Sequence, residues 1–433
     1  MGSSPESRSV NIGFVSTRFA GTDGVSLETA KWAEVLEGEM GHTCFYFAGL
    51  IEDRPPDRCL VVPEAFYRHP EIKDRHDRFF EREVRSEDET RWIHQMREYF
   101  HGHLKEFIAR FAIDLLIIEN ALSIPLNVPL GLALTEVIAE TGIPTLGHHH
   151  DLAWERDRFL VNSVGDYIDM AFPPNLPSIQ HIVINSVARH QLARRRGVGS
   201  EVIPNVMHYE KPAPVIDEYS ADLRITLGLA DEDVLILQPT RIVPRKGIEH
   251  AVELVKRLEM KSCLVISHAS GDEGDAYATR IRNYADMLGV CIVFASDLFS
   301  EKRGVKEDGS KIYSLWDAYP HADLVTYPSL IEGFGNAFLE ALYFKKPIVV
   351  NNYSIFAIDI KTKGFSVIEF DDFITDETVA RARELIQNKE LADQLCLQNY
   401  ELALHHFSYT MLRHKLQVQL DTSFGTNGRF NSV

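Results

Sequence analysis

Two glutamates, Glu332 and Glu340, stand with seven residues between them in the stretch YPSLIEGFGNAFLEALYFKKPIVV, residues 327–350. Apolar runs lie just before this pair and at the end of the stretch, so the pattern predicts a strand, a glycine turn, a helix and a second strand. In an α/β protein such a turn lies at the carboxyl edge of a parallel sheet, where ligands bind. Carboxylates beside the free N–H groups of a helix start suit a ligand with both hydroxyls and phosphates, such as a nucleotide sugar.

The turn between the two glutamates predicts where the helix begins. Asn336 follows the small-residue turn 333–335, and asparagine is a preferred N-cap residue, so we predict that Asn336 caps this helix. A solvated glutamate pair on an ordinary capped helix is the plainer interpretation of the same residues.

Two cations follow another predicted strand, residues 233–238. Arg241 and Lys246 stand after the end of that strand and ahead of a predicted helix. At such an edge they would neutralise a diphosphate, most strongly in a closed, dry cleft. Arg245 is a weaker candidate because it follows Pro244 directly. A surface loop with solvated charges is the alternative.

Polar residues also follow two strands predicted in the first half of the chain. Gly24 lies in a loop rich in Gly, Thr and Asp after a strand at 10–15, and backbone N–H groups there could meet a phosphate. Three consecutive histidines, 148–150, follow a strand predicted at 142–146. Because adjacent residues point in different directions and zinc ligands usually stand roughly two to five residues apart, we predict no metal site here.

Length and composition limit the class of protein. At 433 residues the chain is long enough for two domains, since single cores stop growing at about 250 to 300 residues. Its net charge of −18 argues against a nucleic-acid partner and against electrostatic attachment to anionic lipid. The five cysteines are scattered and form no CxxC pair, which predicts neither a disulfide framework nor a zinc site and favours a reducing compartment.

The hydropathy pattern predicts a cytoplasmic protein. No apolar run approaches the roughly 20 residues of a membrane span, and the polar N-terminus lacks the apolar segment of a signal peptide. Peripheral membrane contact stays open, and composition says nothing about the oligomeric state.

The block 327–350, together with the Arg–Lys pair, resembles the donor-binding signature of the large fourth family of retaining glycosyltransferases. This resemblance implies the α/β fold called GT-B: two Rossmann-like domains facing across a cleft, with a C-terminal helix that crosses back to the N-terminal domain. We place an acceptor-side domain at 9–210, a nucleotide-sugar domain at 211–404, and the crossover helix with the tail at 405–433. The sequence departs from the family at 343–346 (YFKK), where small residues and a glycine are usual.

The resemblance also implies roles for the charged residues. Arg241 and Lys246 would bind the donor pyrophosphate and stabilise the leaving group. Glu332 would lie near the donor sugar, and Glu340 would hydrogen-bond the nucleotide ribose.

The remaining site residues rest on the same resemblance. A His–Asp pair near the donor sugar matches His150 and Asp151, with His149 as the alternative histidine. The nucleotide base is expected against the main chain of the loop that ends at Leu298. Further donor contacts are implied for Gly24, Gly333, Phe334, Gly335 and Asn336.

The expected function is retaining transfer of a hexose from a nucleotide-diphosphate sugar, such as a UDP- or GDP-hexose, to a hydroxyl of an acceptor. The charge and the absence of a membrane segment favour a small soluble sugar or sugar acid as the acceptor. No tightly bound cofactor and no metal are expected. The alternatives are a lipid-linked or polysaccharide acceptor, a nucleotide-sugar epimerase or phosphorylase, and a sugar-nucleotide-binding protein of the same fold. The nucleotide, the sugar, the acceptor and the linkage stay undetermined by the sequence.

Overall fold

A computed structural model of the protein describes residues 9–21, 23–270 and 274–425. The chain forms two compact units: unit 1 comprises Met1–Pro204 and Tyr409–Val433, and unit 2 comprises Asn205–Ser408. Each unit contains a parallel β-sheet and helices, as the resemblance predicts.

The secondary structure follows the order strand, helix, strand through most of both units. The strands are β1 (Asn11–Val15), β2 (Thr43–Ala48), β3 (Cys59–Val61), β4 (Leu115–Glu119), β5 (Thr145–His149), β6 (Ile179–Val183), β7 (Ser200–Val202), β8 (Val234–Gln238), β9 (Ser262–Ile266), β10 (Cys291–Phe294), β11 (Phe299–Ser300), β12 (Gly304–Val305), β13 (Lys311–Ser314), β14 (Leu324–Tyr327), β15 (Ile348–Asn351) and β16 (Ile368–Phe370). The helices are α1 (Gly24–Gly38), α2 (Pro70–Phe79), α3 (Glu87–Phe111), α4 (Val128–Thr141), α5 (Gly165–Ala171), α6 (Ser186–Arg196), α7 (Leu223–Thr226), α8 (Ile248–Leu258), α9 (Ala276–Leu288), α10 (Leu315–His321), α11 (Asn336–Tyr343), α12 (Asp376–Gln387), α13 (Lys389–Phe407) and α14 (Tyr409–Phe424).

The sheet of unit 1 has seven parallel strands in the order β3-β2-β1-β4-β5-β6-β7. All five residues of β4, LLIIE, are buried, as expected for a central strand covered on both faces. Helix α3 contributes Phe107 to the core beside Leu116 of β4 and Val137 of α4. Parallel strands end at one common edge, so the loops after β1, β4 and β5 lie near one another.

The C-terminal helix α14 returns to unit 1, which confirms this feature of the predicted fold. The Tyr409 hydroxyl donates to Glu34 at 3.1 Å, and the side-chain amide of Gln180 donates to the Ser423 hydroxyl at 2.7 Å. The sequence predicts one long helix over 389–420, and this is wrong. The extended backbone of Ser408 (φ −87°, ψ 169°) separates α13 from α14.

The main sheet of unit 2 has six parallel strands in the order β10-β9-β8-β14-β15-β16. A separate small sheet has the order β11-β13-β12 and spans residues 299–314. It includes the segment 300–311, for which the sequence predicts a mobile insertion. Arg303 in this segment pairs with Asp217 at 2.7 Å and also with Asp317. These ion pairs of Arg303 connect the insertion to the rest of unit 2.

The sequence predicts no disulfide framework, and the structure nevertheless contains one disulfide. Cys263 and Cys291 are joined, with their Cα atoms 4.7 Å apart. The two residues are register partners on the parallel strands β9 and β10, so the sheet brings together cysteines that stand 28 residues apart in the sequence. In the part of the chain that the structure describes, no helix is both long and apolar enough to span a membrane.

Gly247 fixes how the loop after β8 packs against the end of β14. Its φ is +57°, and a Cβ atom there would lie 2.4 Å from the Pro328 carbonyl oxygen. We expect Gly247→Ala to lower the free energy of unfolding by about 1 to 2 kcal/mol for the left-handed backbone and by about 1 to 3 kcal/mol more for the collision. Urea unfolding of Gly247→Ala and Gly228→Ala measures the difference. Gly228 also has a positive φ (+76°) but open space around it, and equal losses in both variants would contradict the packing role.

Candidate active site

The central candidate residues of unit 2 stand on two loops at the ends of β8 and β14. These strands are neighbours in the sheet, and the Thr326 hydroxyl donates to the Gln238 side chain at 2.7 Å where they end. The loop after β8 carries the cations, and the loop after β14 carries Glu332. The Leu330 amide donates to the Arg245 carbonyl at 2.8 Å, so the two loops are also hydrogen-bonded to each other.

The sequence correctly places Lys246 and Glu332 at one edge, and the structure joins them directly. The Lys246 ammonium donates to Glu332 Oε1, and Arg245 Nη1 lies 3.3 Å from Glu332 Oε2. Both side chains of the Lys246–Glu332 pair are only 10% exposed. The Lys246 ammonium also lies 5.4 Å from the centre of the Tyr327 ring. Arg245, the weaker candidate from the sequence, is therefore part of this cluster.

Burial and the neighbouring charges have opposite effects on the pKa values of Lys246 and Glu332. Burial lowers the pKa of Lys246, and Glu332 offsets only part of this effect. Burial alone would raise the pKa of Glu332, but the charges of Lys246 and Arg245 bring it below its usual value. The pair is therefore an ion pair at neutral pH, with Glu332 as the carboxylate.

Arg241 and His268 complete what we call the Lys246 cluster: Arg241, Arg245, Lys246, His268 and Glu332. Arg241 is exposed, and its side chain forms no hydrogen bond or ion pair with any described residue. Burial, followed by the charges of Lys246 and Arg241, lowers the pKa of His268 to about 4, so this imidazole is neutral. Three cations against one carboxylate leave the cluster net positive. Sequence reasoning missed His268, although it stands directly after a buried strand and Ser267.

The glycine turn after β14 has one conformation that only glycine fits. Gly335 has φ +136°, and a Cβ atom there would lie 2.6 Å from the Tyr353 hydroxyl. That hydroxyl donates to the Phe334 carbonyl at 2.7 Å, and the Phe334 side chain is buried. Gly333 in the same turn is exposed. Tyr353 therefore stabilises the conformation of the glycine turn.

The start of α11 corrects one prediction. Gly335, and not Asn336, is the N-cap, and Asn336 is the first helical residue. Because the Asn336 side chain accepts a hydrogen bond from Asn205 at 2.7 Å, it is used for a contact within unit 2. Glu340 lies in the same helix and accepts a hydrogen bond from the buried Tyr319 hydroxyl at 2.6 Å.

Leu298 closes a turn after β10. Its N–H donates to the Ala295 carbonyl at 2.9 Å, and its carbonyl accepts from the Tyr313 amide at 2.8 Å. A main-chain contact from Leu298 to a nucleotide base would therefore use the second lone pair of the carbonyl oxygen. The base contact at Leu298 stays a prediction.

In unit 1 two of the three consecutive histidines lie within strand β5, and not in a loop after it as predicted. The strand β5 extends through His149, whereas the sequence predicts a strand at 142–146. Side chains alternate along a strand, so His148 and His150 share one side and His149 takes the other. The spacing of two residues within the run was the signal that sequence reasoning overlooked.

Glu119, at the end of β4, holds both histidines of that side. Its Oε2 atom lies 3.0 Å from His148 Nδ1 and 3.0 Å from His150 Nε2. The His150 amide donates to the Asn120 side chain at 2.7 Å, and the ring of His148 stacks on Trp32 with 4.1 Å between ring centres. We call Glu119, His148 and His150 the Glu119 cluster.

The Glu119 cluster is a buried acid–base system. Burial alone would raise the pKa of Glu119, but the two histidines lower it to about 2. Burial would lower the pKa of His150, yet the hydrogen bond and charge of Glu119 raise it above its usual value. The ligand atoms of the three side chains lie within 4.8 Å of one another, a donor set that could also hold a metal ion. The direct hydrogen bonds satisfy these atoms without one, and the metal-free site stays a prediction.

His149, the alternative active-site histidine, is fully buried on the other side of β5. Its Nε2 atom lies 2.8 Å from His181 Nδ1. Burial holds the pKa of His149 well below its usual value. It therefore has the surroundings of a core residue, whereas His150 lies where the strand ends.

Gly24 is the first residue of α1. The preceding Asp23 caps this helix by accepting from the Val25 amide at 3.1 Å and the Ser26 amide at 3.3 Å, and it also pairs with Arg18 at 3.1 Å. These amides already have a carboxylate partner, so a phosphate would have to displace Asp23 or use other N–H groups. The donor contact at Gly24 stays a prediction.

The neutral buried histidines predict the pH dependence of stability. Burial lowers the pKa of His181 to about 4, while the unfolded chain titrates this residue near its usual value of 6.5. Between these values the unfolded state binds more protons, so stability is full above pH 6.5 and falls as the pH drops towards 4. This one group accounts for about 3 kcal/mol. Thermal unfolding of the wild type and His181→Gln over this range should show a smaller loss in the variant, and parallel curves would contradict the prediction.

Comparison with solved structures defines the class of fold. A glycosyltransferase from Rickettsia africae and a sucrose-phosphate synthase from Thermosynechococcus elongatus each superpose with a TM-score of 0.66 at 15% identity. Both superpositions cover 97% of this chain and 100% of the other chain. The fold is therefore that of GT-B glycosyltransferases.

Comparison with protein sequences gives the family. Residues 309–401 match the model described as glycosyl transferases group 1. The mannosylglucosylglycerate synthase of Petrotoga mobilis is 32% identical over 83% of this chain and 86% of its own length. That of Thermotoga maritima is 31% identical over 90% and 95%, respectively. The chain belongs to the glycosyl transferases group 1 family and is a glycosyltransferase.

Proposed function

We propose that the chain is a retaining glycosyltransferase that moves a hexose from a nucleotide-diphosphate sugar to a hydroxyl of a small sugar acid. The Lys246 cluster carries this proposal. It combines a buried lysine with an exposed arginine that has no hydrogen-bond or ion-pair partner among the described residues. Both stand at the carboxyl ends of parallel strands, where a diphosphate would bind.

The relatives suggest the particular reaction. Their name describes a product in which a mannosyl group is added to glucosylglycerate. We therefore propose a mannosyl nucleotide as the donor and glucosylglycerate as the acceptor. The carboxylate of glucosylglycerate makes it a sugar acid of the class that the sequence favours.

Each candidate site residue has its own role in the proposed transfer reaction. The bond from the anomeric carbon to the leaving phosphate oxygen breaks while the acceptor oxygen bonds to that carbon on the same face. The acceptor proton passes to the leaving phosphate oxygen. Arg241 and Lys246 stabilise the charge that grows on this phosphate. Glu332 and His150 orient the donor sugar, and Glu340 holds the ribose. No step needs a metal ion.

Incubation with a panel of guanosine, uridine and adenosine diphosphate hexoses tests this function. With glucosylglycerate as the acceptor, mass spectrometry should detect one hexosylated product, and NMR should show the donor's anomeric configuration in it. Activity should survive EDTA. If none of these nucleotide sugars raises the melting temperature or yields a product, the proposal fails. Conversion of the donor sugar without transfer would instead indicate an epimerase.

A further inference from the structure

Four arginines of unit 1 stand on three loops that follow strands of the sheet, and three of them, Arg18, Arg68 and Arg158, interact with Tyr67. Arg18 stands three residues after β1, and Arg68 lies in the connection that follows β3. Arg156 and Arg158 lie in the loop after β5, beyond the end of the same sheet. We call these four residues the arginine cluster.

Tyr67 is the centre of the arginine cluster. The guanidinium carbon of Arg18 lies 5.5 Å from the centre of its ring, and that of Arg68 lies 5.6 Å from it. Arg158 interacts electrostatically with the same tyrosine and with Arg156. Cation–π contacts of this kind hold guanidinium groups in place. Side chains from three loops are thus brought to one position.

Protein carboxylates compensate only part of this positive charge. Arg18 pairs with Asp23 at 3.1 Å, and Arg156 pairs with Asp151 at 2.7 Å. The side chain of Arg158 forms no hydrogen bond or ion pair with any residue of the described ranges. Burial and then the charge of Arg156 lower the pKa of Arg158, and the charges of Tyr67 and Asp151 offset only part of this effect. A chain of net charge −18 thus keeps here an arginine that, within the described ranges, has Asp151 nearby but no direct ion pair.

We propose that the arginine cluster binds the carboxylate of the acceptor, with Arg158 as the main contact. This inference rests on the proposed function, because that function supplies an acceptor with a carboxylate. The guanidinium group presents parallel N–H donors that match the two oxygens of a carboxylate, and such bidentate contacts are stronger than neutral hydrogen bonds.

The position of the cluster suits a short acceptor. Asp151, the partner of Arg156, follows His150 directly in the sequence, and it contributes to the raised pKa of that histidine. An acceptor carboxylate bound by the arginines would therefore lie beside the loop that begins at His150. Glycerate is the small acidic part of the proposed acceptor and fits such an arrangement.

Calorimetric titration of the full chain with two matched ligands tests the inference. Glucosylglycerate carries the carboxylate, and glucosylglycerol carries a hydroxymethyl group in its place. We expect the wild type to bind the acid at least about ten-fold more tightly, as a charge-assisted hydrogen bond predicts. Arg158→Gln should remove most of this preference and change the Kd of the alcohol less than about two-fold.

Two further variants make the result decisive. Arg68→Gln should weaken the same preference. Arg110→Gln is the control, since Arg110 also stacks on an aromatic ring (Phe111, 5.1 Å) but at the end of α3. The inference is overturned if the wild type does not prefer the acid, or if Arg158→Gln keeps the wild-type preference. Product formation is measured separately, so that transfer to glucosylglycerate without this preference would leave the proposed function standing.

Discussion

Replacement of Lys246 by alanine is expected to lower kcat about 100- to 1000-fold, the effect of removing one preorganised group that stabilises transition-state charge. The ammonium of Lys246 is buried beside Glu332 and Arg245 at the end of β8. Steady-state kinetics with the donor found in the screen measures the loss. Lys261→Ala is the control, because Lys261 is an exposed lysine of the same unit that pairs with Glu232 at 3.1 Å.

A change in stability must be separated from this loss of activity. Without Lys246 the buried Glu332 loses its closest cation, and breaking a buried pair in this way costs about 3 to 5 kcal/mol. The double variant Lys246→Met with Glu332→Gln removes both charges and should regain most of the melting temperature while staying inactive. Wild-type kcat in Lys246→Ala, or recovered activity in the double variant, would show that the pair serves the fold alone.

His150→Ala should lower kcat/KM about 10- to 100-fold, the range expected when a hydrogen bond to a charged group is lost. Glu119→Gln should have a smaller effect on the rate but should change its pH dependence. The carboxylate raises the pKa of His150, so the amide should move the limb of the pH profile that reports His150 to lower pH. Kinetics from pH 5 to 9 measures both effects.

The control for Glu119 is another glutamate–histidine pair of unit 1. Glu140 lies 3.0 Å from His101, but the carboxylate is exposed. Glu140→Gln should keep the wild-type rate and pH profile. An unshifted profile in Glu119→Gln, or wild-type kinetics in His150→Ala, would contradict a role of the Glu119 cluster in the reaction.

The candidate site of unit 2 could largely be predicted from the sequence. The apolar run that forms β8 is followed by Arg241 and Lys246. The glycine turn after β14 lies between Glu332 and Glu340. Parallel strands end at one edge, so local pattern is enough to bring the ends of β8 and β14 together. The helix start at Gly335 was misplaced by one residue, because the choice depends on the Tyr353 and Asn205 contacts and not on capping preference alone.

What the sequence by itself determined is the order of strands and helices, the α/β class, the likeness to GT-B glycosyltransferases and the charged residues at the strand ends. Periodicity and short motifs are local, and they carry this information directly. The tertiary structure decided which distant side chains meet. Glu119 contacts His150, Cys263 joins Cys291, and three arginines from three loops interact with Tyr67. These contacts depend on strand order and register, which no local pattern records.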